Sequence, residues 1–166
     1  HDALDANTTA SNNTAVGYNA LTAATTGPEN VAVGWEAGKG ITTGTSNVSI
    51  GYAVMNTGTV TGDLNIGIGR YSFQNLTSGS NNIGIGAYAL DANTSASDNV
   101  AVGIDSLTAN ITGTQNVALG TYSLDANTTG DYNSAFGHQS LSANTTADSN
   151  TALGFKSLLT NTTGAS

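Results

Sequence analysis

Asn99-Val100-Ala101-Val102-Gly103 is followed 17 residues later by Asn116-Val117-Ala118-Leu119-Gly120, and relatives of this pentapeptide recur along the chain. The anchoring asparagines are Asn13, Asn30, Asn47, Asn65, Asn82, Asn99, Asn116, Asn133 and Asn150, with a single step of 18 residues between Asn47 and Asn65. A period too short for a pair of helices, built from alternating apolar segments and turn residues, predicts an all-β fold. The fold class is a parallel β-solenoid with one repeat per coil and the coils stacked along one axis. At about 4.8 Å per coil, nine copies give a rod on the order of 43 Å long. The extra residue between Asn56 and Leu64 is expected in a loop, because an insertion inside a strand would turn every later side chain to the wrong face.

The repeat is numbered here from its asparagine. Position 4 is always a sizeable apolar residue: Val16, Val33, Ile50, Ile68, Ile85, Val102, Leu119, Phe136 and Leu153. Position 2 is mostly Val or Ile and shares a face with position 4, because strand side chains alternate. These large residues are expected to supply the core. Positions 3 and 5 share the other face and are tiny, with Gly at every fifth position. So small a face implies the close approach of an opposite wall or of a neighbouring chain. Position 9 is bulky in eight of nine copies, from Leu21 to Leu158 with Gly38 as the exception, and is expected to close the core from a second short strand. The Asn-Thr-Thr-Gly stretch, as at Asn127 to Gly130, is turn chemistry, with Gly supplying positive φ. The asparagines at position 1 are expected to form a structural ladder from coil to coil.

His1 to Leu4 reads as the tail of a preceding copy and Asn161 to Gly164 as the turn into another. Residues 1–166 are therefore expected to be one repeat array, cut from a longer fibre. Only 8% of residues are charged, the formal net charge is −8, and Lys39, Arg70 and Lys156 are the only strong cations. Nucleic acid is excluded as a partner, since phosphate binding needs clustered Lys and Arg. The absence of cysteine excludes disulfides and thiolate metal sites. No apolar run approaches the roughly 20 residues of a membrane span. With about three apolar side chains per coil against roughly 1–2 kcal/mol of backbone entropy per ordered residue, a lone solenoid is marginal. Association that buries the small-residue face is the expected remedy.

At Asn13 to Gly17, Asn99 to Gly103 and Asn116 to Gly120, and at the small-Leu pairs Ala20-Leu21 and Ser106-Leu107, the chain resembles the YadA-like head repeats of trimeric autotransporter adhesins. It is also similar to the Asn-Thr-Thr-Gly repeats of bacteriophage tail fibres and of bacterial surface fibres that end in a self-cleaving chaperone domain. The resemblance implies a left-handed β-roll, three of which pack as a parallel homotrimer. It further implies an extracellular place on a bacterial surface or a virion, and a non-enzymatic adhesive or spacing role. The period here is longer than in the adhesin heads, which gives each coil a longer loop.

Positions 6 and 7 vary where the rest of the repeat does not. They hold Tyr18, Trp35, Tyr52, Tyr71, Tyr88, Tyr122, His138 and Phe155, with Glu36, Arg70, Asp105 and Lys156 among them. One reading is a solvent-facing column that touches a cell-surface glycan or protein; the other is a rim that covers the join between protomers. No cofactor is expected, and catalysis finds little support, since His1 and His138 lie on different coils. Asp91, Asp98, Asp125, Asp131 and Asp148 could stack as calcium ligands, but the glycine-rich nonapeptide of calcium β-rolls is absent. An ice-binding array would need Thr at alternate positions, whereas Thr25-Thr26, Thr128-Thr129 and Thr145-Thr146 are adjacent.

Overall fold

A computed structural model describes residues 2–162 and 164. Among these are nine three-residue strands: β1 (Thr14–Val16), β2 (Val31–Val33), β3 (Val48–Ile50), β4 (Ile66–Ile68), β5 (Ile83–Ile85), β6 (Val100–Val102), β7 (Val117–Leu119), β8 (Ser134–Phe136) and β9 (Thr151–Leu153). They pair in chain order into one parallel sheet. Each residue meets its counterpart in the next copy, as Val100 meets Val117, Ala101 meets Ala118 and Val102 meets Leu119. No helix occurs among the described residues. The molecule is an all-β parallel β-solenoid of about eight turns.

The insertion falls where a loop can absorb it. Val48 still pairs with Ile66 and Ile50 with Ile68, while Gly58 takes a φ of +83° and Val60 forms an isolated parallel bridge with Ile41.

Outside the strands the backbone goes on bonding along the axis. The N–H of Glu36 donates backward to Tyr18 C=O at 2.8 Å, and the N–H of Leu21 donates forward to Ala37 C=O at 3.0 Å. Two residues apart in the repeat, these donors point in opposite directions along the rod. The second short strand expected at position 9 is therefore absent. In its place positions 7 and 9 adopt positive φ, as at Glu36 (52°), Leu21 (52°), Tyr122 (56°) and Leu124 (51°). A non-glycine residue in this region costs roughly 1–2 kcal/mol. It is retained in every copy because a tight corner cannot otherwise keep its N–H and C=O groups aimed at the neighbouring coils.

The two strand faces are the reverse of the sequence expectation. Position 3, with Ala32, Ala101, Ala118 and Ala135, is wholly buried inside the coil, whereas Val33, Ile50, Ile85, Leu119 and Phe136 at position 4 are exposed on the outside. The cause is the narrow coil, whose interior is filled by position 9, chiefly Leu21, Leu90, Leu107, Leu124 and Leu141, and by Ala or Ser at position 8. Little room remains opposite the strand. Where position 9 enlarges to Phe73, position 3 shrinks to glycine in its own coil and the next: a Cβ on Gly84 would lie 2.6 Å from Phe73 Cε2. Where position 9 is Gly38, Ile41 fills the gap, its Cδ1 3.2 Å from where a Cβ would be. In these coils a change of size at one position is met by an opposite change at another.

Glycine is invariant at position 5, whereas position 15 also takes alanine, as Ala96 and Ala147. Gly103 has a φ of +141°, and a Cβ there would stand 2.6 Å from Gly120 C and O. Gly130 needs no positive φ, contrary to the expectation for this turn; a Cβ there would lie 2.5 Å from Ala147 O. Replacing Gly103 or Gly120 by Val is expected to cost about 3–5 kcal/mol through combined strain and overpacking. Thr121→Ser should stay within about 0.5 kcal/mol. Urea unfolding followed by circular dichroism checks the difference.

Candidate functional site

Four columns of side chains stand along the rod, some of them over only part of its length. The first is the asparagine at position 1. From Asn30 to Asn150, each backbone N–H donates to Oδ1 of the asparagine one coil before, at distances between 2.8 and 3.1 Å. From Asn13 to Asn133, each Nδ2 donates to the position-15 carbonyl, as Asn116 does to Gly130 O at 2.7 Å. The carboxamide thus satisfies a donor and an acceptor that the three-residue strand leaves over.

The second column was hidden in the sequence as turn chemistry. Asn93, Asn110, Asn127 and Asn144 at position 12 are wholly buried. Asn127 Nδ2 donates to Asn110 Oδ1 at 2.9 Å, and Asn144 Nδ2 to Asn127 Oδ1 at 3.1 Å. In the N-terminal half this corner is apolar, with Ala24, Ile41 and Leu76. The available signal was the recurrence of Asn at a fixed position, which an exposed turn does not require.

The third column is aromatic and lies outside. Tyr18 stacks on Trp35 with ring centroids 6.0 Å apart and Trp35 on Tyr52 at 4.6 Å. Tyr52, Tyr71 and Tyr88 continue the run at 5.4 Å per step. Ile104 and Asp105 interrupt it, and Tyr122, His138 and Phe155 resume it at 6.0 and 5.6 Å. All eight candidate contact residues are therefore gathered, in two runs. The Arg70 guanidinium lies 4.7 Å from the Tyr71 ring centre and 5.7 Å from that of Tyr52. Its hydrogen bond to Tyr71 raises its affinity for the proton, while reduced hydration and the neighbouring Tyr71 push the Tyr52 phenol above its ordinary value. Tyr18, Trp35 and Tyr52, and likewise His138 and Phe155, stack face to face, whereas Tyr52 meets Tyr71 and Tyr122 meets His138 edge to face.

The fourth column is polar, at position 16. Asp131 Oδ1 accepts the N–H of Thr114 at 2.6 Å, and Asp148 Oδ1 accepts the N–H of Asp131 at 2.8 Å. The five loop aspartates do not form one stack. Asp131 and Asp148 serve this backbone ladder, Asp98 stands one position further on, and Asp91 and Asp125 are at position 10. Among the described residues no group of three or more His, Cys, Asp or Glu could hold a metal ion. Asp91 Oδ1 is buried without a hydrogen-bond partner. Burial, then the Asp105 carboxylate, raise the Asp91 pKa, and burial, then Asp125, raise that of Asp105.

The adjacent threonines divide their roles: Thr25 Oγ1 donates to Thr42 O and Thr128 Oγ1 to Thr145 O, while Thr26 and Thr129 face solvent. His138 belongs to the aromatic column, and His1 lies outside the described residues.

Replacing Asn116 by Ala would strip acceptors from Asn133 N–H and Nδ2 and the Nδ2 donor from Gly130 O. At roughly 1–3 kcal/mol for each buried group left unpaired, a loss of at least about 3 kcal/mol is expected. The exposed Thr26→Ala should stay within about 0.5 kcal/mol; thermal unfolding of both variants checks this. Compared with known proteins, the chain matches no family model, no curated protein and no solved structure.

Proposed function

We propose that the chain is a non-enzymatic segment of an extracellular fibre, on a bacterial surface or a virion, built as a parallel, in-register homotrimer. In this reading each chain is a left-handed β-roll with one 17-residue repeat per coil. The observation that carries it is the outer face of the nine-stranded sheet. Position 4 exposes Val16, Val33, Ile50, Ile85, Leu119, Phe136 and Leu153, and the position-2 column of Val and Ile beside it is half-buried. Nine coils at about 4.8 Å make this an apolar band on the order of 400 Å², the size of the largest apolar patch on a typical monomer, which is often an interaction surface. Parallel sheets are ordinarily covered on both faces. The small-residue face is already closed by the coil's own wall, so the Val and Ile face is the one a second and third copy would bury. Because every coil presents the same band, like repeats meet like when the copies stand in register.

The aromatic column then falls on the outside of the fibre. A trimer shows each ring three times, so even weak contacts with a glycan or protein would combine through avidity. The contacts that the rings make with one another from coil to coil favour a second reading, a spacer that holds a tip or anchor at a distance, with the column stiffening the rod.

Sedimentation equilibrium at micromolar concentration should return three times the chain mass, and a stably folded monomer would reject the obligate trimer. Glycan-array and cell-binding assays should then show binding that falls when Tyr18, Trp35, Tyr52 and Tyr122 are changed to Ser. Binding that is absent, or unchanged by the substitutions, would leave the spacer reading standing.

A further inference from the structure

Position 10 holds Lys39 on the second full coil and Asn56 on the third, so an amine and a carboxamide stand at the same repeat position on adjacent coils. One carboxylate touches both. Lys39 Nζ donates to Glu36 Oε1 at 2.9 Å, and Asn56 Nδ2 donates to Glu36 Oε2 at 3.4 Å. The Glu36 side chain retains only 13% of its exposure, while that of Lys39 keeps 41%. Asn56 Oδ1 is buried and accepts no hydrogen bond. The other residues at position 10, Thr22, Gln74, Asp91, Thr108, Asp125, Ser142 and Leu159, bring no second amine to the column.

We propose that Lys39 and Asn56 are joined by an intramolecular isopeptide bond, formed once per molecule with Glu36 as the proton relay. Glu36 Oε1 takes a proton from the Nζ ammonium, and the freed lone pair attacks Asn56 Cγ. The Nζ–Cγ bond forms and the Cγ–Nδ2 bond breaks. Two of the three Nζ protons pass through the carboxylate to Nδ2, the third stays on the new amide, and Nδ2 departs as ammonium, so atoms and charge balance without an oxidant or other reactant. The carboxylate contacts both the nitrogen that loses protons and the nitrogen that gains them, the geometry a shuttle requires. Deprotonating a half-exposed lysine makes the step slow. A reaction between two groups held on one carboxylate, and needed only once, tolerates that. The buried Asn56 carbonyl limits the access of water and so the competing hydrolysis, and the exposed side of Lys39 gives ammonium a way out.

The position of the bond gives it a structural consequence. Asn56 is two residues from Gly58, where the 18-residue step interrupts the repeat. A covalent tie here would hold together the coils whose stacking is least regular, in the way any cross-link restricts the unfolded chain.

Intact mass spectrometry of the purified chain, followed during incubation at neutral pH, should show the loss of one ammonia. Trypsin should fail to cut after Lys39, and tandem spectra should identify a branched peptide linking Lys39 to Asn56. Lys39→Arg, Glu36→Gln and Asn56→Ala should each keep the full mass expected from their sequence. A wild-type chain that retains its full mass and is cut after Lys39 would overturn the proposal. So would an ammonia loss that persists in Lys39→Arg, since that would mark cyclisation of an asparagine on its own backbone.

Discussion

Each coil must hand its backbone N–H and C=O groups to the coils before and after it, and the rest of the structure follows from that requirement. Strands of three residues pair only a few of these groups, so the corners have to continue the ladder. They do so with positive φ at positions 7 and 9, even where the residue is Tyr122 or Leu124. Glycine at position 5 lets consecutive backbones come as close as the ladder demands, and the asparagine at position 1 fills the remaining gap with its carboxamide. The local strain, at about 1–2 kcal/mol per left-handed residue, is offset by groups that would cost a comparable amount if buried unpaired.

The same geometry makes the interior narrow. A coil that closes with leucine from position 9 leaves room only for alanine, serine or glycine from the strand, so the large β-branched residues have nowhere to go but outward. Ser72, Ser106, Ser123 and Ser140 exploit the tight interior by donating to the carbonyl of position 3 one coil on. The apolar band on the outside is therefore a product of the fold's own crowding. It is the face that the proposed trimer would bury, and such burial would stabilise a chain whose internal core is thin.

The period, the stacking direction, the insertion within a loop and the need for glycine at position 5 were legible because each follows from spacing alone. The direction of the strand faces was not. Alternation shows that Val117 and Leu119 share a face and Ala118 takes the other, but it cannot say which face is inside. The habit of placing large apolar residues in a core pointed the wrong way for so narrow a coil. The left-handed corners were hidden because Leu and Tyr are poor formers of that conformation, and only the axial hydrogen bonds explain them. The aromatic residues could be singled out as a variable column, whereas their mutual stacking, and the buried asparagines of position 12, depended on knowing the coil's cross-section.

The central claim is that the small residue of each strand points inward and the large ones outward. Its most direct test is the unfolding free energy of Ala118→Leu, measured in urea at a concentration where association is held constant. Ala118 is wholly buried against the opposite wall, and three further carbons have no space there. The account predicts a loss of at least about 3 kcal/mol or failure to fold, overpacking alone costing roughly 1–3 kcal/mol and a rigid, repeated wall leaving little relief. An Ala118→Leu chain as stable as the wild type would place that residue on the outside and contradict the account.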